Sequence, residues 1–166
     1  MSTTALVSVE EYLRRTEKPN CEYVDGVIHP KAMPTTLHAI VQCALLMLLR
    51  KQGAQALPEL TVRVSATRFL VPDVAVVHRI EHPYPAEPAL LCVEVLSPED
   101  RVGAMLAKCE EYHTWGVPFC WVVDPGKQTA WQYHKGEEPA HVERGGVLRA
   151  GELTVRLGEL YAELPL

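Results

Sequence analysis

Three acidic residues stand in strongly apolar surroundings. Glu94 interrupts the run at 90–96, Asp73 breaks the run at 69–77, and Glu22 opens a short β-prone stretch beside Tyr23 and Val24. A carboxylate in such a run is costly to bury unless a cation, a proton or strong donors compensate it. Each has an ordinary reading as well: Asp73 as part of a Pro-Asp turn, Glu22 as a solvent-facing edge residue, Glu94 as half of a buried ion pair. Carboxylates from three separate apolar segments are also the oxygen donors that Mg²⁺ or Mn²⁺ requires. Lys108 completes the pattern. It follows Glu94 on a predicted helix whose core-facing stripe is Val102, Met105, Leu106, Cys109 and His113. On a helix it falls at the flank of that stripe, in line with Arg101 and Tyr112. From there it either snorkels to solvent or bends its long stem over the sheet toward Glu94.

The segments that must position these groups read as helices and strands. Ser8 and Glu11 have capping-box spacing and open a short helix over 9–15. Residues 21–28 suit a strand, with Asp25-Gly26 able to turn it into a second short one. Thr35 or Thr36 caps a long helix to Gln52, striped by Ile40, Val41, Ala44, Leu45, Leu48 and Leu49 and stopped at Gly53. His38 stands at its start. β-prone stretches at 59–64, 68–71 and 73–78 follow, then a Pro-rich loop and a buried central strand at 90–96. Ser97-Pro98-Glu99-Asp100 offers a cap, an N1 proline and an acidic first turn, so the second long helix is expected to begin there and to end at Gly116. Residues 119–123 form another apolar strand, which Asp124-Pro125-Gly126-Lys127 turns into a partner at 129–134. A short strand at 153–155 and a helical turn near Leu160 close the chain. The expected fold is α/β, with a mixed central β-sheet flanked by helices, in a single domain over 1–166.

Composition narrows the function classes. The 166 residues are 48% hydrophobic and 22% charged, which suits one globular domain burying roughly 70% of its unfolded-chain surface and excludes a disordered chain. The apolar run 44–49 stops at Arg50 and Lys51, far short of a membrane span. The N-terminal segment lacks the basic region of an export signal, so a cytoplasmic location is expected. A net charge of −5 argues against a broad basic surface for nucleic acid, while leaving room for a local basic groove or a divalent metal. The five cysteines show no C-x-x-C spacing and read as buried thiols. Cys109 and His113, one helical turn apart, are the pair that could mimic a thiol–imidazole couple. No G-x-S-x-G, P-loop or dinucleotide fingerprint is present.

An ordered set of segments resembles a known family. Glu22-Tyr23-Val24-Asp25-Gly26, His38 at a helix start, Val71-Pro72-Asp73, Val93-Glu94-Val95-Leu96-Ser97-Pro98, Lys108 with Tyr112, and the run from Trp115 to Pro125 resemble the bacterial restriction endonuclease-like proteins of the PD-(D/E)XK nuclease superfamily, formerly a domain of unknown function. The resemblance covers about residues 8 to 162. It implies a restriction endonuclease-like fold and a metal-dependent phosphodiesterase with DNA as substrate. Asp73 and Glu94 would hold Mg²⁺ or Mn²⁺ with a backbone carbonyl just after Glu94, and Glu22 would complete the cluster directly or through water. Lys108 would orient the attacking water, because Leu96 stands where the superfamily's lysine is usual. His38 and Arg101 are implied substrate contacts, and Arg14, Arg15, Lys31, Arg63 and Arg68 are further candidates for phosphate. A homodimer is implied as well, with Trp131 and Tyr133 as aromatics that could serve it. Two rivals stay open: a binding module that keeps the fold without the chemistry, and a different hydrolase using Cys109 and His113.

Overall fold

The computed structural model describes residues 5–16 and 20–165. In chain order the elements are α1 (Val9–Leu13), β1 (Cys21–Val24), β2 (Val27–Pro30), α2 (Thr36–Lys51), β3 (Gln55–Pro58), β4 (Val62–Ser65), β5 (Arg68–Leu70), β6 (Val74–Val77), β7 (Leu91–Val95), α3 (Val102–Trp115), β8 (Phe119–Asp124), β9 (Thr129–His134), β10 (Ala140–Val142), β11 (Val147–Ala150), β12 (Leu153–Arg156) and α4 (Leu157–Leu160). They form a six-stranded sheet, β10-β9-β8-β7-β6-β3, a four-stranded sheet, β2-β1-β5-β4, and the β11–β12 hairpin. The six-stranded sheet is mixed. Its β7–β8 pair is parallel, as a helical crossover through α3 allows, and its other neighbours are antiparallel.

Side-chain alternation along β7 divides the interior. Val93 and Val95 share one core with Val41, Leu45 and Leu49 of α2. Cys92, on the opposite face, packs with Cys109 and Tyr112 of α3. Val62 and Leu70 of the four-stranded sheet belong to that second core, so α3 is packed against both sheets. A smaller cluster of Tyr12, Tyr23 and Phe69 ties α1 to the four-stranded sheet, with ring centroids 5.2 Å and 5.4 Å apart around Tyr12. No helix of the described residues is long and apolar enough to cross a membrane.

The structure departs from the sequence reading at several boundaries. The helix expected from Pro98 begins at Val102. Asp100 Oδ2 accepts from the Ser97 N–H at 2.8 Å and the Asp100 N–H returns to the Ser97 carbonyl at 3.0 Å, closing a turn instead of a first helical turn. Side chains that can bond nearby backbone favour such turns over helix. The stretch 59–64 is not one strand. Glu59 takes φ 49° between β3 and β4, and Pro58 ends the pairing with β6. β10 and β11 lie where no strand was expected, and Asp25-Gly26 does turn β1 into β2. Tyr133 is buried against α3, with its hydroxyl on Glu110, which removes it from any exposed dimer surface. Trp131 is half-buried against the His141 ring. Cys43 is exposed, contrary to the reading of its cysteines as buried, while Cys92, Cys109 and Cys120 fit it.

Candidate active site

Antiparallel register brings the first two carboxylates together. β6 and β7 pair Val74 with Val93, so Asp73, immediately before β6, and Glu94, immediately after Val93, lie at the same end of this ladder. Like charges there repel unless each is compensated. Both are: Asp73 and Glu94 are only 3% exposed, yet each is surrounded by donors. Asp73 Oδ2 accepts from the Val95 N–H at 2.7 Å, and Oδ1 accepts from Lys31 Nζ at 2.7 Å and faces His38 Nε2 at 3.2 Å. Glu94 Oε1 accepts from the Tyr112 hydroxyl at 2.6 Å and meets Lys108 Nζ at 2.8 Å.

Lys108 turns inward. Its ammonium also lies 2.6 Å from Glu22 Oε1, which the Val71 N–H holds at 2.8 Å. Thus α3, β7 and β1 converge on one lysine. These groups line a cleft of about 620 Å³ that also takes in Asn20, Lys31, His38, Gln42, Glu59 and Asp100. Arg101 is exposed at the N-cap of α3 and is not among the lining residues.

Electrostatics follow from burial and these partners. Burial opposes ionisation of Asp73, but the His38 hydrogen bond and the Lys31 charge hold its carboxyl well below the usual carboxylate range. Burial pushes Glu94 up to about 7, against the pull of Lys108 and with the charge of Asp73 adding to the rise. Burial also works against the charge on Lys108, yet Glu94 and Glu22 together keep that group above its ordinary value. Five carboxylates, Glu22, Glu59, Asp73, Glu94 and Asp100, face two ammonium groups along the cleft. The imbalance favours entry of a cation over entry of an anion.

Sequence reasoning missed Glu59 and Gln42 and misplaced Lys31. Glu59 was hidden inside an expected strand. Gln42 lies one turn beyond His38 on α2, a polar residue beside the apolar stripe, and its amide reaches Glu59 Oε1 at 3.0 Å and the Asp73 carbonyl at 2.8 Å. Lys31 is not available to phosphate as expected, whereas Arg63 and Arg68 stay at the surface. Lys31 is held by Asp73 and Glu59. Arg63 bonds the Ser65 and Ala66 carbonyls, and Arg68 pairs with Asp25 and Glu111. Cys109 and His113 do not form a thiol–imidazole couple: Cys109 is fully buried, and His113 Nδ1 stands 2.9 Å from the Val117 carbonyl.

The sequence profile of the Uma2 family, described as "Putative restriction endonuclease", matches residues 9–160. The chain belongs to this family. Among solved structures, the Uma2 chain is similar to a putative nuclease belonging to DUF820 from Anabaena variabilis ATCC 29413, with a TM-score of 0.78 and 23% identity over 94% of this chain and 98% of that one. The fold is therefore restriction endonuclease-like. A match to the DrdV–DNA complex has a TM-score of 0.44 and 15% identity, covering 72% of this Uma2 chain and 68% of the other. No protein in a search of curated proteins matches it.

Proposed function

We propose that this Uma2-family chain is a metal-dependent endonuclease that hydrolyses phosphodiester bonds of DNA. The observation that carries the reading is the convergence of Asp73, Glu94 and Lys108, from two strands and a helix, on one negatively biased cleft. The donor set fits a hard divalent ion of modest protein coordination. Among the described residues no three His, Cys, Asp or Glu groups are arranged to hold a metal, whereas Mg²⁺ is commonly held by one or two carboxylates, with water and substrate phosphate filling the other positions. Asp73 and Glu94 are the residues that would hold it. When bound, such an ion offsets phosphate charge and makes water a better nucleophile.

The chain's own groups have distinct tasks in this reading. Lys108, paired to two carboxylates, acts as a donor and not as a base: two of its three N–H groups are engaged, and the third is directed at water or a phosphate oxygen. Glu22 anchors Lys108 instead of serving as a third ligand. Tyr112 fixes the Glu94 carboxylate, and His38 fixes that of Asp73. His38 Nδ1 is buried and has no hydrogen-bond partner among the described residues. Without a cation the excess of carboxylates repels a phosphate backbone, which joins metal binding to substrate binding.

The test is cleavage of supercoiled and linear DNA by wild type and Lys108→Ala, with Mg²⁺, with Mn²⁺ and with chelator. Metal-dependent cleavage is expected in the wild type, with turnover lost in Lys108→Ala and Mn²⁺ affinity kept within a few-fold. Cleavage that survives chelation, or normal turnover in the variant, overturns the reading. Metal-dependent DNA retention without cleavage by either protein would mark a binding module.

A further inference from the structure

A lysine ammonium has three donors and no acceptor, and the two lysines of the cleft use them differently. Lys108 engages two carboxylates and, among the described residues, leaves one donor without a partner. Lys31 is saturated. Its Nζ lies 2.7 Å from Asp73 Oδ1, 2.7 Å from the Val71 carbonyl and 3.2 Å from Glu59 Oε2. Two carboxylates and a backbone carbonyl are the oxygen set that a hard cation takes, and here a cation of the chain itself occupies it.

The cage is built independently of the lysine. Glu59 is fixed by the Gln42 amide on one oxygen, at 3.0 Å, and by the Asn20 amide on the other, at 3.2 Å. Its backbone takes φ 49°, a conformation that side-chain-bearing residues rarely adopt, and its N–H donates to the Asp73 carbonyl at 3.3 Å. Lys31 arrives from the end of β2, where its own N–H bonds the Asn20 carbonyl at 2.9 Å. Its side chain is only 16% exposed, so reaching bulk solvent or an incoming backbone would require leaving all three acceptors.

We propose that Lys31 is a tethered cation filling the second cation position of the cleft, so that the site takes one divalent ion and not two. In two-metal nucleases a carboxylate is commonly shared between ions a few ångströms apart. Asp73 has that bridging position here, with one oxygen on Lys31 and its carboxylate beside Glu94. The inference rests on the metal reading above and deepens it by assigning metal stoichiometry to a lysine.

The experiment counts Mn²⁺ bound at equilibrium, from the free-ion paramagnetic resonance signal, for wild type, Lys31→Ala, Lys31→Arg and the double variant Lys31→Ala/Glu59→Gln. One ion per chain is expected for wild type, two for Lys31→Ala, and one for both the arginine and the double variants. One ion with unchanged affinity in Lys31→Ala, or two in wild type, overturns the role of Lys31 and leaves the metal reading intact. No ion in wild type but one in Lys31→Ala upholds the tethered cation and overturns the metal site at Asp73 and Glu94. Absence of binding in every protein overturns both. Lys31→Ser, which clears the same space, is measured alongside. If neither it nor Lys31→Ala shows native near-ultraviolet circular dichroism with or without Mn²⁺, no divalent ion can replace the lysine and the proposal fails.

Discussion

Asp73 is held by donors from three directions: the Val95 amide, the Lys31 ammonium and the His38 ring. From the sequence alone Asp73→Asn is expected to leave metal-free stability unchanged or to raise it, through relief of repulsion among clustered carboxylates, with a buried ion pair as the rival that predicts the reverse. The observed pairing decides between them, because Asp73 and Lys31 are both largely shielded from water. Removing the Asp73 charge leaves the buried Lys31 with Glu59 as its remaining carboxylate partner, so Asp73→Asn is expected to cost about 3 kcal/mol in chelator. It should also flatten the rise in melting temperature that wild type gains with Mn²⁺ by mass action. Thermal melts of both proteins in chelator and in Mn²⁺ check the two effects together, and a variant that is more stable without metal would contradict the ion-pair account.

Element boundaries decide what reaches the cleft. The turn that holds Ser97 and Asp100 delays α3 until Val102, and both turn residues line the cleft mouth. Asp100→Ala removes the acceptor for the Ser97 N–H and should destabilise the protein by about 1 kcal/mol, read as a shift of the urea midpoint at constant slope. An unchanged midpoint would mean that the turn is held by backbone alone. The main strands and both long helices were legible because burial enforces period: β7 reads as an apolar run with one intruding glutamate, and α2 as a stripe ending at Gly53. Asp73 and Glu94 were legible for the same reason, as carboxylates where the pattern demands apolar residues, whereas Lys108, at the flank of its helix stripe, was singled out by the family resemblance. Glu59 carried no such signal. Its position depends on a left-handed backbone and on register with β6, neither of which local composition encodes. The partners of Lys31 were equally hidden, since Asp73 is 42 residues away in the chain. The turn at Asp100 was misread because a cap, a proline and acidic residues serve a turn as readily as a helix start.

At the scale of the whole molecule, charge sets the terms of association. A chain of net charge −5 whose cleft is itself rich in carboxylates is expected, on the proposed reading, to have little attraction for DNA until a divalent ion enters. With Lys108→Ala used to prevent turnover, retention of duplex DNA is expected to fall at least tenfold when Mg²⁺ is replaced by chelator. It should also weaken with rising salt more gently than for strongly basic nucleases. Gel-shift titrations at two ionic strengths measure both, and metal-independent retention would count against the charge argument. The Tyr12, Tyr23 and Phe69 cluster adds a different consequence. This small aromatic core, separate from the two larger ones, underlies the hairpin that delivers Glu22 and leads directly into Lys31. Free energies of local opening track buried apolar contact, so the hairpin forms a less protected cooperative unit than β7 and β8. Hydrogen exchange should find the amides of β1 and β2 released at lower opening energies than those of β7 and β8. Such an opening would part Glu22 from Lys108 and Lys31 from Asp73 and leave Glu94, Tyr112 and Lys108 assembled, a seam along which the cleft is expected to breathe without unfolding.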